Sequence, residues 1–229
     1  MEIGELKFCD LSLKDYKSTL ALQVQLHTQV AQGLTSPIVL LVEHPAVLTL
    51  GKHANLNFIT SSWQELKELA IEVERTDRGG EVTAHMPGQL VAYPIIPLKQ
   101  IGLGVKDYVR VLENSVIDCL KHYYIEANVD PINPGVWIRE NKICAIGIRV
   151  SKGVSYHGLA LNVDNDVSLF GHIIPCGIEG RGVTNIIRES RSKVNKSDLK
   201  SHLASLIASG LGFRSACFVE LTTICDCDL

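Results

Sequence analysis

One cysteine of the chain has a setting that the others lack. Cys176 lies in the run Ile174-Pro175-Cys176-Gly177-Ile178, where a rigid proline and a flexible glycine flank a loop that can present the sulfur to a cavity. A free thiol has a pKa near about 8.5, so it is only slightly ionised at neutral pH. It needs a partner that takes its proton before it becomes a good nucleophile. Four other cysteines fall among apolar neighbours, as ordinary buried thiols do: Cys9, Cys119, Cys144 and Cys217.

Lys142 is a candidate for that partner. It begins a run in which residues 143–148 are nearly all apolar. A lysine in a partly desolvated place holds its proton less tightly and can exchange it with a nearby sulfur. Residue chemistry alone favours a different interpretation, because a lysine at the start of a strand is more often a simple surface charge.

A glycine pair and a histidine mark a candidate binding surface in residues 78–94. Gly79 and Gly80 follow a polar run, and they let the backbone turn through positive φ and be approached closely. His85 lies in the strand-like run that follows, among mostly small neighbours. Bare backbone donors that open into such a strand predict the floor of a small-molecule site. A glycine hairpin that carries a hydrogen-bonded histidine is the equally open alternative.

Composition excludes several classes of protein. The chain has 229 residues, a hydrophobic fraction of 46% and a formal net charge of −3, which indicates one core and argues against a nucleic-acid binder. No run approaches the roughly 18 apolar residues of a membrane span. The seven cysteines are irregularly spaced and the N-terminus is acidic, so we expect free thiols, a cytoplasmic location and no metal. Cys225 and Cys227 could join Cys217 on a metal, but no second pair stands at zinc-site spacing.

The elements that must position these residues are visible in the hydrophobic pattern. Helices are predicted at 13–31 (with Ser12 opening a capping box and Gly33 closing the helix), 63–70, 105–120 and 199–210; strands are predicted at 38–42, 47–50, 81–98 with a break at Pro87-Gly88, 135–139, 142–150 and 154–163. Helices and strands alternate without a strict β-α-β rhythm. We therefore predict a single α/β domain of the α+β type over residues 1–215, with a mixed sheet flanked by helices. The tail, 216–229, is expected to add an edge strand from about Phe218 and then fray.

Five blocks of sequence are more specific together than any one of them alone. They are Glu43-His44-Pro45 with Thr49-Leu50-Gly51, the run from Arg78 to Pro94, Lys142 to Gly147, His157 to Val163, and Ile174 to Ile178. In this order, over roughly residues 10 to 205, they resemble the lipoyl(octanoyl) transferases, which start lipoate assembly. The fold of that family is a single α/β domain shared with biotin and lipoate ligases.

The resemblance implies a reaction and its participants. An octanoyl group would pass from acyl carrier protein to a lysine ε-amine on a lipoyl domain, such as those of 2-oxoacid dehydrogenases or the glycine-cleavage H protein. Cys176 would hold the group as a thioester and Lys142 would be its acid/base partner. No ATP and no cofactor would be needed, and we expect a monomer.

The resemblance also implies which residues bind the acyl chain. They are Arg78, Gly79, Gly80, Glu81, Val82, Thr83, Ala84, His85, Ala145, Ile146, Gly147, Gly158, Leu159 and Ala160. The family often has an aromatic residue in place of Ala84 and a glycine in place of Met86, so pocket shape or chain-length preference is expected to differ here.

Three alternatives and one docking hypothesis accompany this prediction. An ATP-dependent lipoate ligase, a lipoyl amidotransferase and a non-catalytic module would share the fold, although Cys176 argues against the ligase. Between Arg181 and Lys200 there are six basic residues against Glu189 and Asp198. Because acyl carrier proteins are acidic, this segment is a candidate docking patch; a solvated helix and loop is the alternative.

Overall fold

A large mixed sheet forms the centre of the molecule in the computed structural model, which describes residues 3–178, 180–190 and 193–222, without the side chains of Ile3 and Cys176. The strands are β1 Ile3–Leu13, β2 Ile38–Glu43, β3 Val47–Leu50, β4 Glu72–Arg75, β5 Val82–His85, β6 Gln89–Ile95, β7 Asn128–Val129, β8 Gly135–Ile138, β9 Asn141–Ser151, β10 Val154–Asn162, β11 Gly182–Val183 and β12 Phe213–Phe218. The helices are α1 Tyr16–Gln32, α2 Trp63–Glu68, α3 Val105–Lys121, α4 Ile186–Glu189 and α5 Lys196–Gly210.

Within the described residues the large sheet has the strand order β12-β1-β2-β6-β10-β9-β8-β7, and β11 pairs with β9. β1 runs parallel to both of its neighbours, whereas β2, β6, β10, β9 and β8 are joined by antiparallel pairs. A second sheet has the order β4-β3-β5. The expected mixed sheet with flanking helices is therefore confirmed.

The two faces of the large sheet are covered by different helices. Along β2, Val39 and Leu41 join a core with α3 and α5, whereas Leu40 and Val42 join a core with α1. Side chains alternate between faces along a strand, so a central strand that is covered on both sides is apolar at every position. The small sheet and α2 enclose a third core around Leu48 and Leu66.

The first helix begins later than predicted. Its N-cap is Asp15, whose Oδ1 accepts from the backbone N–H of Ser18 at 2.8 Å. Ser12 and Leu13 belong to β1, which the predicted elements omit, and the Leu13 side chain is 59% exposed. The helical end at Gly33, with φ of +73°, is confirmed.

The C-terminal edge strand also lies earlier than predicted. β12 starts at Phe213, which is buried, and it pairs in parallel with β1 from Ile3↔Phe213 to Phe8↔Phe218. It therefore crosses residue 215, where the domain was expected to end. Residues 223–229, including Cys225 and Cys227, lie outside the described chain, and the division at 215 stays a prediction.

Candidate active site

A cavity of about 330 Å³ lies beside β9 and β10 and beneath the loop 78–81. Besides Lys142, its walls contain every residue predicted to bind the acyl chain except Ala84. They also contain Tyr16, Val91, Tyr93, Val109, Asn133, Pro134, Ile148 and His157. The site therefore brings together residues that lie far apart in the sequence, from Tyr16 on α1 to Ala160 on β10.

The pairing of β9 with β10 brings two of the predicted blocks together. Ala145 pairs with Ala160, Ile146 with Leu159, and Gly147 with Gly158. No residue with a side chain fits at position 158, because a Cβ there would lie 2.1 Å from the Ala92 carbonyl oxygen. One wall of the cavity is thus an antiparallel ladder with small and aliphatic side chains.

Ala84 differs from the other predicted binding residues because it does not line the cavity. It pairs with Leu48 of β3 and is completely buried in the third core. Since side chains alternate along β5, Thr83 and His85 line the cavity while Ala84 is directed to the other face. Met86 belongs to the same core, so neither departure from the family pattern touches the cavity wall.

Arg78 fixes the shape of the loop 78–81. Its buried guanidinium donates to the Thr49 carbonyl at 2.6 Å, to the Glu81 carbonyl at 2.9 Å and to the Gly79 carbonyl at 3.0 Å. The neighbouring backbone is very close, because a Cβ on Gly51 would lie 2.2 Å from the oxygen of Gly80.

The expectation that the glycine loop offers bare donors needs one correction. The N–H of Gly79 donates to the Ile148 carbonyl at 2.9 Å, so it is already used inside the protein. A Cβ on Gly147 would lie 2.8 Å from the oxygen of Gly79. The glycines therefore serve close packing of backbone against backbone at this place.

Three neutral histidines lie at or near the site: His85 and His157 line the cavity, and His44 lies next to His85. His44 donates from Nδ1 to the Lys14 carbonyl at 2.7 Å and accepts at Nε2 from Tyr93 at 2.9 Å; burial lowers its pKa. Burial, with a smaller effect of His44, lowers the pKa of His85 to about 3. His85 is hydrogen-bonded to Gln89 at 2.8 Å. The structural role of His44 is to hold the Tyr93 hydroxyl.

His157 lines the cavity, although the sequence indicated no role for it beyond the first position of the block from His157 to Val163. Its Nε2 donates to Asp77 at 2.9 Å, which leaves Nδ1 as a buried acceptor with no hydrogen-bond partner in the described structure. Burial lowers its pKa to about 4, against the opposing effect of Asp77. The ring therefore offers a neutral acceptor at the edge of a mostly apolar space.

Lys142 is a buried residue, so the surface-charge interpretation is wrong. Only 6% of it is exposed. Its Nζ donates to the Pro134 carbonyl at 3.3 Å and lies 4.6 Å from the centre of the Trp137 ring. The amine is thus held at the cavity wall by groups on β8 and on the turn before it.

The backbone around Cys176 adjoins Lys142, although the cysteine side chain lies outside the described structure. Pro175 and Gly177 belong to a single 3-10 turn. Pro175 and Lys142 line one small space that borders the main cavity, together with Phe170 and Val183. Downstream of the turn, Val183 pairs with Lys142 across β11 and β9. Folding therefore brings the Cys176 segment and Lys142 to the same place.

Comparisons with known proteins show the family of the chain. Residues 15–208 match the family model of the lipoyl protein ligase A/B catalytic domain. An octanoyltransferase of Alkaliphilus metalliredigens is 43% identical over 182 residues, which cover 79% of this chain and 84% of that protein. The chain belongs to the lipoyl protein ligase A/B catalytic-domain family.

Solved structures show the fold of this family. A crystal structure of lipoate-protein ligase A bound with ATP matches with a TM-score of 0.74 at 16% identity, covering 96% of this chain and 90% of the ligase. Biotin protein ligase from Aquifex aeolicus matches with a TM-score of 0.52 at 13% identity, covering 91% of this chain and 69% of that protein. These comparisons confirm the predicted family and its ligase-like fold. They also confirm that the enzyme is of the octanoyltransferase type.

The described residues contain neither a membrane-spanning helix nor a cluster of metal ligands. No helix there is long and apolar enough to cross a membrane. No group of three or more His, Cys, Asp or Glu side chains there is arranged to hold a metal ion.

Proposed function

We propose that the chain takes an octanoyl group from acyl carrier protein, holds it as a thioester on Cys176, and transfers it to a lysine ε-amine of a lipoyl domain. One observation carries the proposal: Lys142 is buried at the wall of an apolar cavity, beside the turn that contains Cys176. The 43% identical octanoyltransferase supports the transfer of an octanoyl group.

The cavity suits a medium-length acyl chain. Its volume of about 330 Å³ lies at the lower end of ordinary ligand pockets. Its walls include Val91, Val109, Ile146 and Leu159. Burial of each CH₂ contributes about 0.8 kcal/mol, so a wall of this kind favours longer chains until the space is filled.

The chemistry follows as two proton-balanced steps. Lys142 accepts the thiol proton as the Cys176 sulfur attacks the donor thioester; the donor sulfur then leaves as a thiol by taking that proton from Lys142. In the second step the acceptor amine attacks the Cys176 thioester and gives a proton to Lys142. The proton returns to the cysteine sulfur as the amide forms. Lys142 thereby ends each step in the form in which it began.

Partners, location and oligomeric state belong to the same proposal. The donor is acyl carrier protein, and the acceptors are lipoyl domains of 2-oxoacid dehydrogenases and the glycine-cleavage H protein. The proposed oligomeric state is a monomer, and the proposed location is the cytoplasm. A lipoyl amidotransferase would use the same thioester with a different donor, and a ligase would require ATP, so the donor must be tested directly.

Mass spectrometry of the intact protein tests the function. After incubation with octanoyl-acyl carrier protein and no nucleotide, we expect one octanoyl adduct, mapped by peptides to Cys176. Addition of a lipoyl domain should remove the adduct and octanoylate one lysine of the domain. An adduct formed only from an octanoylated lipoyl domain would establish an amidotransferase, and dependence on ATP would establish a ligase. Either result overturns the proposal.

A further inference from the structure

The side chains of Arg181 and Lys142 contact the same buried indole. Trp137 lies on β8 and is 3% exposed. The guanidinium carbon of Arg181 lies 4.0 Å from the centre of its ring, and Lys142 Nζ lies 4.6 Å from that centre. A cation near an aromatic face is attracted to it, and more strongly where water is excluded. The ring of Trp137 therefore links Arg181 to the amine proposed as the acid/base group.

Arg181 also binds two carboxylates. Nη1 lies 2.5 Å from Asp130 and Nε lies 2.9 Å from Glu140. The side chains of Arg181 and Asp130 are 21% and 14% exposed, whereas that of Glu140 is 76% exposed. Exposed pairs contribute little because water competes for both charges. The pair with Asp130 is therefore the stronger restraint on Arg181.

Asp130 in turn holds the backbone that receives Lys142. Its Oδ1 accepts from the N–H groups of Ile132 and Asn133, each at 2.9 Å. The carbonyl of Asn133 accepts from Trp137 Nε1 at 3.2 Å. The next carbonyl, that of Pro134, accepts from Lys142 Nζ at 3.3 Å. The turn 130–134 is thus built on the same carboxylate that Arg181 binds.

The position of Arg181 along the chain connects this network to Cys176. Arg181 follows the 3-10 turn of Pro175–Gly177 and directly precedes β11. β11 has two residues, and it pairs with β9 at Asn141 and Lys142. So short a strand gives few backbone hydrogen bonds with which to hold the segment. The Arg181 side chain adds the restraint that the backbone lacks.

We infer that Arg181 is a positioning residue that holds the Cys176 segment against Lys142, through Trp137 on one side and Asp130 on the other. The inference rests on the proposed function and deepens it. It matters for rate because misplacement of a reacting group by about 1 Å can cost about a hundredfold in rate.

This role differs from the docking role that the sequence suggested for the basic segment. Arg181, Lys196 and Lys200 are each engaged in ion pairs within the chain, and Arg191 lies outside the described residues. A docking residue acts on the affinity for an acidic partner. A positioning residue acts on the acylation rate with any donor, including one too small to dock.

Acylation kinetics separate the two roles. Arg181→Ala and Arg181→Lys are compared with wild type, using octanoyl-acyl carrier protein and the small donor octanoyl-pantetheine. We expect Arg181→Ala to slow Cys176 acylation about ten- to a hundredfold with both donors, with the KM for the carrier protein within about twofold of wild type. Arg181→Lys keeps the charge and should recover part of the rate. Arg214→Ala, an exposed arginine on β12, is the matched control and should retain the wild-type rate.

Hydrogen exchange gives a second readout that does not require activity. In Arg181→Ala the backbone amides of Ile132, Asn133 and Thr184 should exchange at least about tenfold faster, while those of α3 keep their protection. An unchanged acylation rate with unchanged exchange overturns the inference. So does a rise in KM that is confined to the carrier protein and abolished by salt. Absence of an adduct on wild-type Cys176 would instead refute the proposed function, and exchange would still decide the role of Arg181.

Discussion

At the residue scale, Glu113 acts on Lys142 through a single peptide group. This carboxylate on α3 is 5% exposed, and it accepts from the N–H of Gly135 at 3.0 Å. The carbonyl of that peptide belongs to Pro134 and accepts from Lys142 Nζ. A side chain on residue 135 is excluded, because its Cβ would lie 2.5 Å from the Cys144 oxygen. The peptide is therefore fixed from both ends.

Two substitutions of Glu113 should distinguish the effect of its hydrogen bond from the effect of its charge. Glu113→Gln keeps an acceptor for Gly135, so we expect a small loss of kcat. Glu113→Ala leaves a buried N–H without a partner, which should cost about 1–3 kcal/mol of folding free energy and lower kcat about tenfold. Urea denaturation and steady-state assays measure the two effects. Exposed Glu126→Ala is the control; wild-type kcat and stability in Glu113→Ala would refute this role.

His157 should make the folded state sensitive to mild acid. Its pKa falls from the ordinary 6.5 to about 4 in the folded protein because of burial. Between pH 4 and pH 6.5 the unfolded chain binds more protons at His157 than the folded chain does. The contribution of neutral His157 to folding stability is therefore full above pH 6.5 and is lost as the pH falls towards 4. The slope for one such group is about 1.4 kcal/mol per pH unit. His85, with a pKa of about 3, adds in the same direction.

The measurement is the free energy of unfolding at pH 7, 6 and 5. Wild type should lose stability steadily over this range. His157→Asn should show a shallower slope, and asparagine tolerates the positive φ of 55° at this residue. His53→Asn, at an exposed histidine, should keep the wild-type slope. Equal stability of the wild type at pH 7 and pH 5 would contradict this account.

At the element scale, the pairing of β6 with β10 depends on a glycine. In Gly158→Ala the new Cβ would meet the Ala92 oxygen at 2.1 Å and Pro94 Cδ at 2.7 Å. Overpacking of this kind costs about 1–3 kcal/mol, and these strands also form the cavity wall, so we expect lower stability and lower acylation together. Gly4→Ala on β1 meets nothing within 4 Å and should be neutral. Thermal melting compares the two variants; equal melting temperatures would show that β10 moves freely away from β6.

Some elements were predictable because their patterns are local. The amphipathic spacing of α3 and the hairpin of β8 and β9 need no information from distant residues. β1 carries the alternating Leu6 and Phe8 that were available as a strand signal and were overlooked. β4, by contrast, is short and polar, with only intermediate or exposed residues. Its strand conformation follows from pairing with β3, which no local pattern reveals.

At the scale of the whole molecule, the site depends on contacts between distant parts of the chain. The sequence blocks indicated Cys176, Lys142 and most of the cavity wall. Tyr16 from α1 and Val109 from α3 were not foreseen, because helical periodicity shows which face is apolar and not what it covers. The burial of Lys142 was likewise hidden, since it arises from Trp137 and Pro134 after folding.

The rate of Cys176 acylation in wild type and in Lys142→Met tests the central claim most directly. A single-turnover assay with octanoyl-acyl carrier protein, quenched in acid and followed by mass spectrometry, gives that rate. Loss of a general base typically costs about a hundredfold or more, and we predict a decrease of that size. Lys106→Met, at an exposed lysine of α3, should acylate at the wild-type rate. Acylation of Lys142→Met at the wild-type rate would contradict a Cys176–Lys142 pair.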